Sequence, residues 1–365
     1  METFVCSTRL CFGENALQAL QTLGAKRAFL VTDPFFAKNG TAQHILSLLP
    51  DAETEVFDRV GGEPTLAMVA QGVDRLQKFR PDTLLALGGG SAIDCAKGIL
   101  SLAQSEARLV AIPTTSGTGS EVTSFSILTH EGVKHPLIDE ALRPQLAILD
   151  DSLLRALPKG LIADAGMDVL THCLEAIASK NATVFTTALA SAAFRTTLEQ
   201  LPVSYAGDIS VRGRIHEAAS MAGIAFDHAG LGVCHALSHA LGGAFHLPHG
   251  RLNAILLPPV LRFNAPAAPY AALAAYCGLS GARGLIFAVQ RLRRRLELPE
   301  TLCVRLRFRG SHADAPAQYR KLLRYMDEHR MQISGFSREV TLIDYGVTND
   351  TEKFVTEICI PVQGS

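Results

Sequence analysis

A chain of 365 residues exceeds one ordinary compact core and suits two domains with room for an appendage. Its 34 Lys+Arg against 35 Asp+Glu leave no basic field for nucleic acid and no acidic tail, so no nucleic-acid partner is expected. Hydrophobic content of 48% with 30 Gly and few aromatics fits an α/β enzyme core of small and branched side chains.

The first residues, METFVCSTRLCFGENAL, lack a basic segment leading into an apolar stretch, and no apolar run reaches the roughly 18 residues of a membrane helix. Neither a secretory leader nor a membrane partner is expected. Eight scattered cysteines without a CxxC pair predict a reduced, cytoplasmic protein, a compartment that also keeps a ferrous ion reduced. Buried strands are predicted at RAFLVTD (27–33), DTLLALGGG (82–90), RLVAIPTT (108–115) and QLAILD (145–150). Helices lie between them, at 66–79 and 91–103, and this alternation predicts a parallel sheet covered on both faces. From LPKGLIADAG (157–166) the chain turns Ala- and Leu-rich with helical periodicity, which predicts an all-helical second domain. After Cys303 the composition reads strand, helix, strand, strand. The expected organisation is thus an α/β, Rossmann-like nucleotide domain at 1–156, a helical metal-binding domain at 157–302, and a small α+β tail at 303–365.

Gly88, Gly89, Gly90 and Ser91 close one strand and open a helix. Glycines let the backbone approach a pyrophosphate, whose charge the helix N-terminus favours. Asp94 and Lys97 follow at one-turn spacing. A second cluster, from Thr114 and Thr115 to Glu121, also follows a strand and offers hydroxyls and amides. Neither turn has GxGxxG spacing, and each alone also reads as a tight connection. Asp33 ends an earlier strand, where a carboxylate can bind ribose hydroxyls and repel a 2′-phosphate, or simply cap a helix.

Five of the twelve histidines fall between His228 and His249. Asp168 and His172 are four apart, as are His235 and His239, so each pair shares a helix face. His249 follows a glycine pair. A carboxylate and three imidazoles suit Fe²⁺ or Zn²⁺, with positions left for substrate or water. A lone histidine on an apolar helix is more often a core residue, and only the combination points to a metal. His228 and His246 are then outer or structural residues.

GGGSAIDCAKG, IPTTSGTGSEVTSFSI, MDVLTHCLEA and GLGVCHALSHALGGAFHLPHGRLNAILLP resemble, in order and spacing, the iron-containing alcohol dehydrogenases, over roughly 4–302. The resemblance implies the dehydroquinate synthase-like fold, a nucleotide domain and a helical domain with the active site between them. It implies Asp168, His172, His235 and His249 as metal ligands and His239 beside nicotinamide and substrate. Gly88, Gly89, Gly90, Ser91, Asp94, Thr114 and Thr115 fall on the cofactor motifs, and Asp33 on the position linked to NAD preference. The implied activity interconverts a small primary alcohol and its aldehyde with NAD and Fe²⁺, Zn²⁺ being the alternative ion. A homo-oligomer is expected.

Two departures stand out. The polar pair Asp227-His228 falls near the expected pocket, leaving the substrate open. The family's last helices are not recognisable after Leu302; instead RFRGSHADAPAQYRKLLRYM, LIDYG and FVTEICIPV resemble one half of a GyrI-like effector-binding domain. Glu339 and Glu357 on its strands either face a cation if two tails pair or are simply solvated. The alternatives are a same-fold dehydrogenase for a hydroxy acid or polyol, and a degenerate dehydrogenase sensing a ligand through its tail.

Overall fold

The computed structural model describes residues 3–131, 133–245, 247–266, 268–298, 302–329, 331–333, 338–343 and 355–364. The chain divides into two compact units, residues 1–298 and 299–365.

The first unit begins with a parallel sheet. Its strands are β1 (Arg9–Gly13), β2 (Arg27–Thr32), β3 (Glu53–Phe57), β4 (Thr83–Gly88), β5 (Arg108–Pro113) and, after an antiparallel hairpin of β6 (Phe125–His130) and β7 (Val133–Ile138), β8 (Leu146–Asp150). The spatial order is β1-β8-β5-β4-β2-β3, with every pair parallel. Helices α1 (Pro34–Lys38), α2 (Thr41–Ser47), α3 (Leu66–Phe79) and α4 (Gly90–Leu102) intervene. Side chains alternate across each strand. Phe29, Val31, Leu84, Ala86, Leu109 and Ala111 enter one core, which includes Val69 and Leu76 of α3 and Ile93, Ala96 and Ile99 of α4. Ala28, Leu30, Leu85, Leu87, Val110 and Ile112 enter a second core with Ile45 of α2. Burial on both faces is why these strands read as unbroken apolar runs.

β2 is flanked by β3 on one side and β4 on the other, so the chain reverses direction across the sheet beside β2. The carboxyl ends of β2, β4 and β5 therefore line a crevice of the kind where open α/β sheets bind ligands. Asp33, Gly88 and Thr114 immediately follow or end these three strands.

Among the described residues, seven helices follow: α5 (Lys159–Ala178), α6 (Val184–Ala206), α7 (Arg212–Ala229), α8 (Val233–Phe245), α9 (His249–Asn264), α10 (Tyr270–Tyr276) and α11 (Gly281–Arg295). Their shared core includes Met167, Leu170 and Leu174 of α5, Phe194 and Leu201 of α6, Ala222 and Phe226 of α7, and Leu257 and Leu261 of α9. Among the described residues, no single helix is long and apolar enough to cross a membrane.

The second unit holds β9 (Leu302–Arg309), α12 (Ala315–Glu328), β10 (Met331–Ile333), β11 (Arg338–Ile343) and β12 (Val355–Gly364). β12 is central and pairs antiparallel with β9, β10 and β11. Ile358, Ile360 and Val362, at period two, pack with Ala315, Leu322 and Met326 of α12. The side chains of Glu339 and Glu357 lie outside the described residues.

Candidate metal and cofactor site

The cofactor motifs meet at the sheet's carboxyl edge. Gly89, Gly90 and Ser91 share a cleft of about 580 Å³ with Thr115, Gly117 and Thr118 of the second turn and with Asp33. The two turns touch, since a Cβ on Gly90 would lie 2.7 Å from Thr118 Cγ2. That contact, together with the helix N-terminus, explains why glycine is needed there. The second turn is anchored from α7, where His216 Nδ1 lies 2.9 Å from the Ser116 hydroxyl.

Asp33 Oδ1 accepts the amides of Phe35 and Phe36 and caps α1. Its Oδ2 stands 3.8 Å from where a Cβ on Gly88 would be, beside the end of β4. Capping and placement in the cleft therefore coexist at this residue. Thr114 is buried, its amide donating to Gly88 O, and does not line the cleft.

Asp94 lies deeper. Its carboxylate accepts the Ser120 hydroxyl at 2.5 Å and the Ile127 amide at 3.1 Å, and burial raises its pKa. It lines an inner cavity of about 180 Å³ rather than the outer cleft. Lys97, fully buried, donates to Thr123 O, Thr123 Oγ1 and Phe125 O, joining α4 to the approach of β6. Burial pushes it down to about 8.

The histidines line the same inner cavity. Asp168 and His172 project from α5 one turn apart, His235 and His239 from α8, and His249 is the first residue of α9. Gly250 permits this entry, because a Cβ there would lie 2.1 Å from Asp164 O on α5. Asp168 Oδ1 lies 3.5 Å from Nε2 of both His235 and His249, and 3.7 Å from Nε2 of His172. Asp168, His235 and His249 offer ligand atoms all within 4.8 Å of one another. The His172 ring stacks on His235 at 4.5 Å. His239 stacks on His249 at 4.6 Å, and its buried Nδ1 has no hydrogen-bond partner among the described residues.

Burial pushes His172 down to about 3 and His249 to about 4, so both rings are neutral with lone pairs to offer. Burial works against the Asp168 carboxylate, but the positive charge that His172, His249 and His235 carry when protonated holds its pKa well below the usual range. His235 differs: burial lowers its pKa, while Asp168 and Glu175 outweigh this and lift it to about 9. One carboxylate and converging imidazole nitrogens form a mixed O/N donor set that fits Fe²⁺ or Zn²⁺.

Sequence reasoning left out Glu175, Asn253 and Lys134. Glu175, three residues past His172, is buried and accepts His235 Nδ1 at 2.6 Å. Asn253, four past His249, donates from Nδ2 to Asp168 Oδ1 at 2.7 Å. Their signal was a polar residue repeating the histidine helix face. Lys134 of β7 lines the inner cavity in an ion pair with Glu63 at 2.5 Å. Asp227 and His228 lie beside Phe226, which lines the cavity, but their own side chains turn elsewhere. Asp227 pairs with Arg143 at 2.7 Å, and His228 Nε2 meets Val5 O with its ring against Phe4. His246 lies outside the described residues.

The iron-containing alcohol dehydrogenase family model matches residues 7–151, and the model of the family's C-terminal part matches residues 162–305. A GyrI-like small molecule binding domain matches residues 294–363. The 1-propanol dehydrogenase PduQ of Salmonella typhimurium is 42% identical over 318 residues, covering 83% of this chain and 86% of the relative. An iron-containing alcohol dehydrogenase from Thermococcus thioreducens superposes with a TM-score of 0.78 at 34% identity, over 81% of this chain and 86% of that one. Sulfoacetaldehyde reductase from Bifidobacterium kashiwanohense, solved with NAD+, does so with a TM-score of 0.79 at 26% identity, over 83% and 88%. With the parallel sheet, the helical domain and the clustered Asp and His donors, these matches establish that the chain belongs to the iron-containing alcohol dehydrogenase family and is an alcohol dehydrogenase.

Proposed function

We propose that the enzyme interconverts a small primary alcohol and its aldehyde, using NAD and one divalent ion, Fe²⁺ or Zn²⁺, per chain. The convergence of Asp168, His235 and His249 within 4.8 Å, with Asp168 and His249 also lining the outer cleft, carries this reading. When bound, the ion acts as a Lewis acid on the substrate oxygen and the nicotinamide takes or gives the hydride.

The chain's own residues supply the rest. Asp168, His172, His235 and His249 hold the ion. Gly88, Gly89, Gly90 and Ser91 receive the pyrophosphate at the N-terminus of α4, with Thr114 and Thr115 supporting it from the second turn. Asp94 holds the two turns in place through Ser120. Asp33 binds ribose hydroxyls through the oxygen not used in capping and repels a 2′-phosphate. His239, in the cavity with its ring stacked on His249, moves the proton.

Ile127, Phe125, Phe226 and Leu231 make the cavity wall largely apolar and suit a short alkyl chain. The Lys134–Glu63 pair favours a second reading, in which the substrate's far end carries a hydroxyl or acid. NADH oxidation with C2 to C4 aldehydes and their hydroxy analogues, with Fe²⁺ or Zn²⁺ supplied anaerobically, tests both. Turnover of simple aldehydes is expected; no turnover of any aldehyde contradicts the proposal.

We further read residues 1–156, 157–302 and 303–365 as nucleotide, metal-binding and appended domains of a cytoplasmic homo-oligomer with no nucleic-acid or membrane partner. The near-zero net charge supports the lack of nucleic acid, and exposed Phe263 and Phe287 support association. Light scattering in solution tests the oligomer.

A further inference from the structure

We infer that Glu175 is a positioning residue for metal binding, fixing both the ring and the tautomer of His235. The inference rests on the metal-site reading above.

The carboxylate is buried at 3% exposure and is surrounded by donors from the start of α8. Oε1 accepts the Cys234 amide at 2.7 Å, and Oε2 accepts the Gly232 amide at 3.0 Å and His235 Nδ1 at 2.6 Å. An ionised carboxylate only accepts, so Nδ1 keeps its proton, and Nε2 is the nitrogen that frees a lone pair when the ring gives up its charge to bind a metal. Nε2 faces Asp168 Oδ1 at 3.5 Å. The opposite side of the ring agrees. Asn253 Nδ2 lies 3.3 Å from His235 Nε2 and 3.2 Å from His249 Nε2, so the hydrogen it does not give to Asp168 faces both nitrogens, an arrangement that suits an Nε2 without a proton. The amide's orientation is held by Asp168 Oδ1, which takes Nδ2–H, and by Ser238 Oγ, which donates to Asn253 Oδ1.

Space at the other end is equally constrained. A Cβ on Gly232 would lie 2.8 Å from Glu175 Oε1, so the start of α8 rests directly on the carboxylate. One residue of α5 thereby caps α8 and orients a histidine that α8 carries. Carboxylate–histidine pairs behind a metal raise ligand basicity and hold the ring in place, and their loss typically weakens metal binding about 10–100-fold.

The test is competition for Zn²⁺ between a chromophoric chelator and the full-length apo-protein as wild type, Glu175→Gln, His235→Ala and the double variant. Glu175→Gln should bind Zn²⁺ about 10–100-fold more weakly than wild type, and should add nothing in the His235→Ala background. A residue that only caps α8 would lower the thermal midpoint of the apo-protein and leave Zn²⁺ affinity unchanged. Wild-type affinity in Glu175→Gln, or an equal loss in both backgrounds, overturns the inference while leaving the metal site intact. Wild-type affinity in His235→Ala would instead overturn the site and the inference together. The tautomer is read in the Zn²⁺-loaded wild-type protein, where His235 must be neutral to bind, by nitrogen-15 NMR of labelled histidines. The His235 signal, assigned by its absence in His235→Ala, should show a protonated Nδ1, and a proton on Nε2 contradicts the inference.

Discussion

Arg143 and Asp227 form an ion pair at 2.7 Å with both side chains at most 3% exposed, and this pair ties helix α7 to the α/β half of the enzyme. Asp227 also accepts the Ser124 amide and hydroxyl, just before β6. Removing one member of such a pair leaves the other charge buried without its counter-ion. Arg143→Ala should therefore destabilise the protein by about 3–5 kcal/mol. Urea unfolding measures this, and a loss under about 1 kcal/mol would show that water reaches Asp227.

Asp33 caps α1 and, on the proposed reading, also binds the ribose, two purposes that one substitution separates. Asp33→Gly removes a carboxylate from the cleft, while glycine at a helix N-cap costs only a few tenths of a kcal/mol. The ratio of kcat/KM with NADPH to that with NADH should rise roughly tenfold or more, as expected when about 1.4 kcal/mol of repulsion is lifted. An unchanged ratio at unchanged stability would place the discrimination elsewhere in the cleft.

His239→Ala should keep its metal and lose about 10²–10⁴-fold in kcat, the usual worth of a positioned proton-transfer group. Metal content by elemental analysis, set beside kcat, separates the outcomes. Loss of the ion would put His239 in the coordination shell.

Lys97 predicts a pH dependence. Burial holds its folded-state pKa down to about 8, against 10.5 for the free side chain. Between those values the unfolded chain binds more protons than the folded one, so stability attributable to Lys97 rises with pH across that window. Below about pH 8 both states carry the proton and the burial penalty is at its largest. Urea midpoints of wild type relative to Lys97→Met should shift in favour of wild type from pH 7.5 to 9.5, and a constant difference would contradict the assignment.

Much of this arrangement is legible in the sequence. β2, β4, β5 and β8 are buried on both faces and read as apolar runs, whereas β1 (RLCFG) and β3 (ETEVF) are half-exposed edge strands with a mixed pattern. The β6–β7 hairpin escaped for the same reason, since VKHPLI is mostly solvent-facing. At the site, four-residue spacing put Asp168 with His172 and His235 with His239. Spacing along one helix cannot show which atoms converge between helices. That is why Glu175 and Asn253, whose roles depend on contacts from α5 to α8 and from α9 to α5, were missed. Asp227 shows the converse. Its position in the chain adjoins the pocket, but the side chain turns to Arg143.

The central claim is a single divalent ion held by Asp168, His172, His235 and His249. Anomalous diffraction at the iron or zinc edge, from crystals of enzyme shown to be active in the same preparation, tests it most directly. One peak per chain is expected, bounded by these four side chains at about 2.0–2.2 Å. An active enzyme with no peak between them, or with its peak elsewhere, would contradict the account.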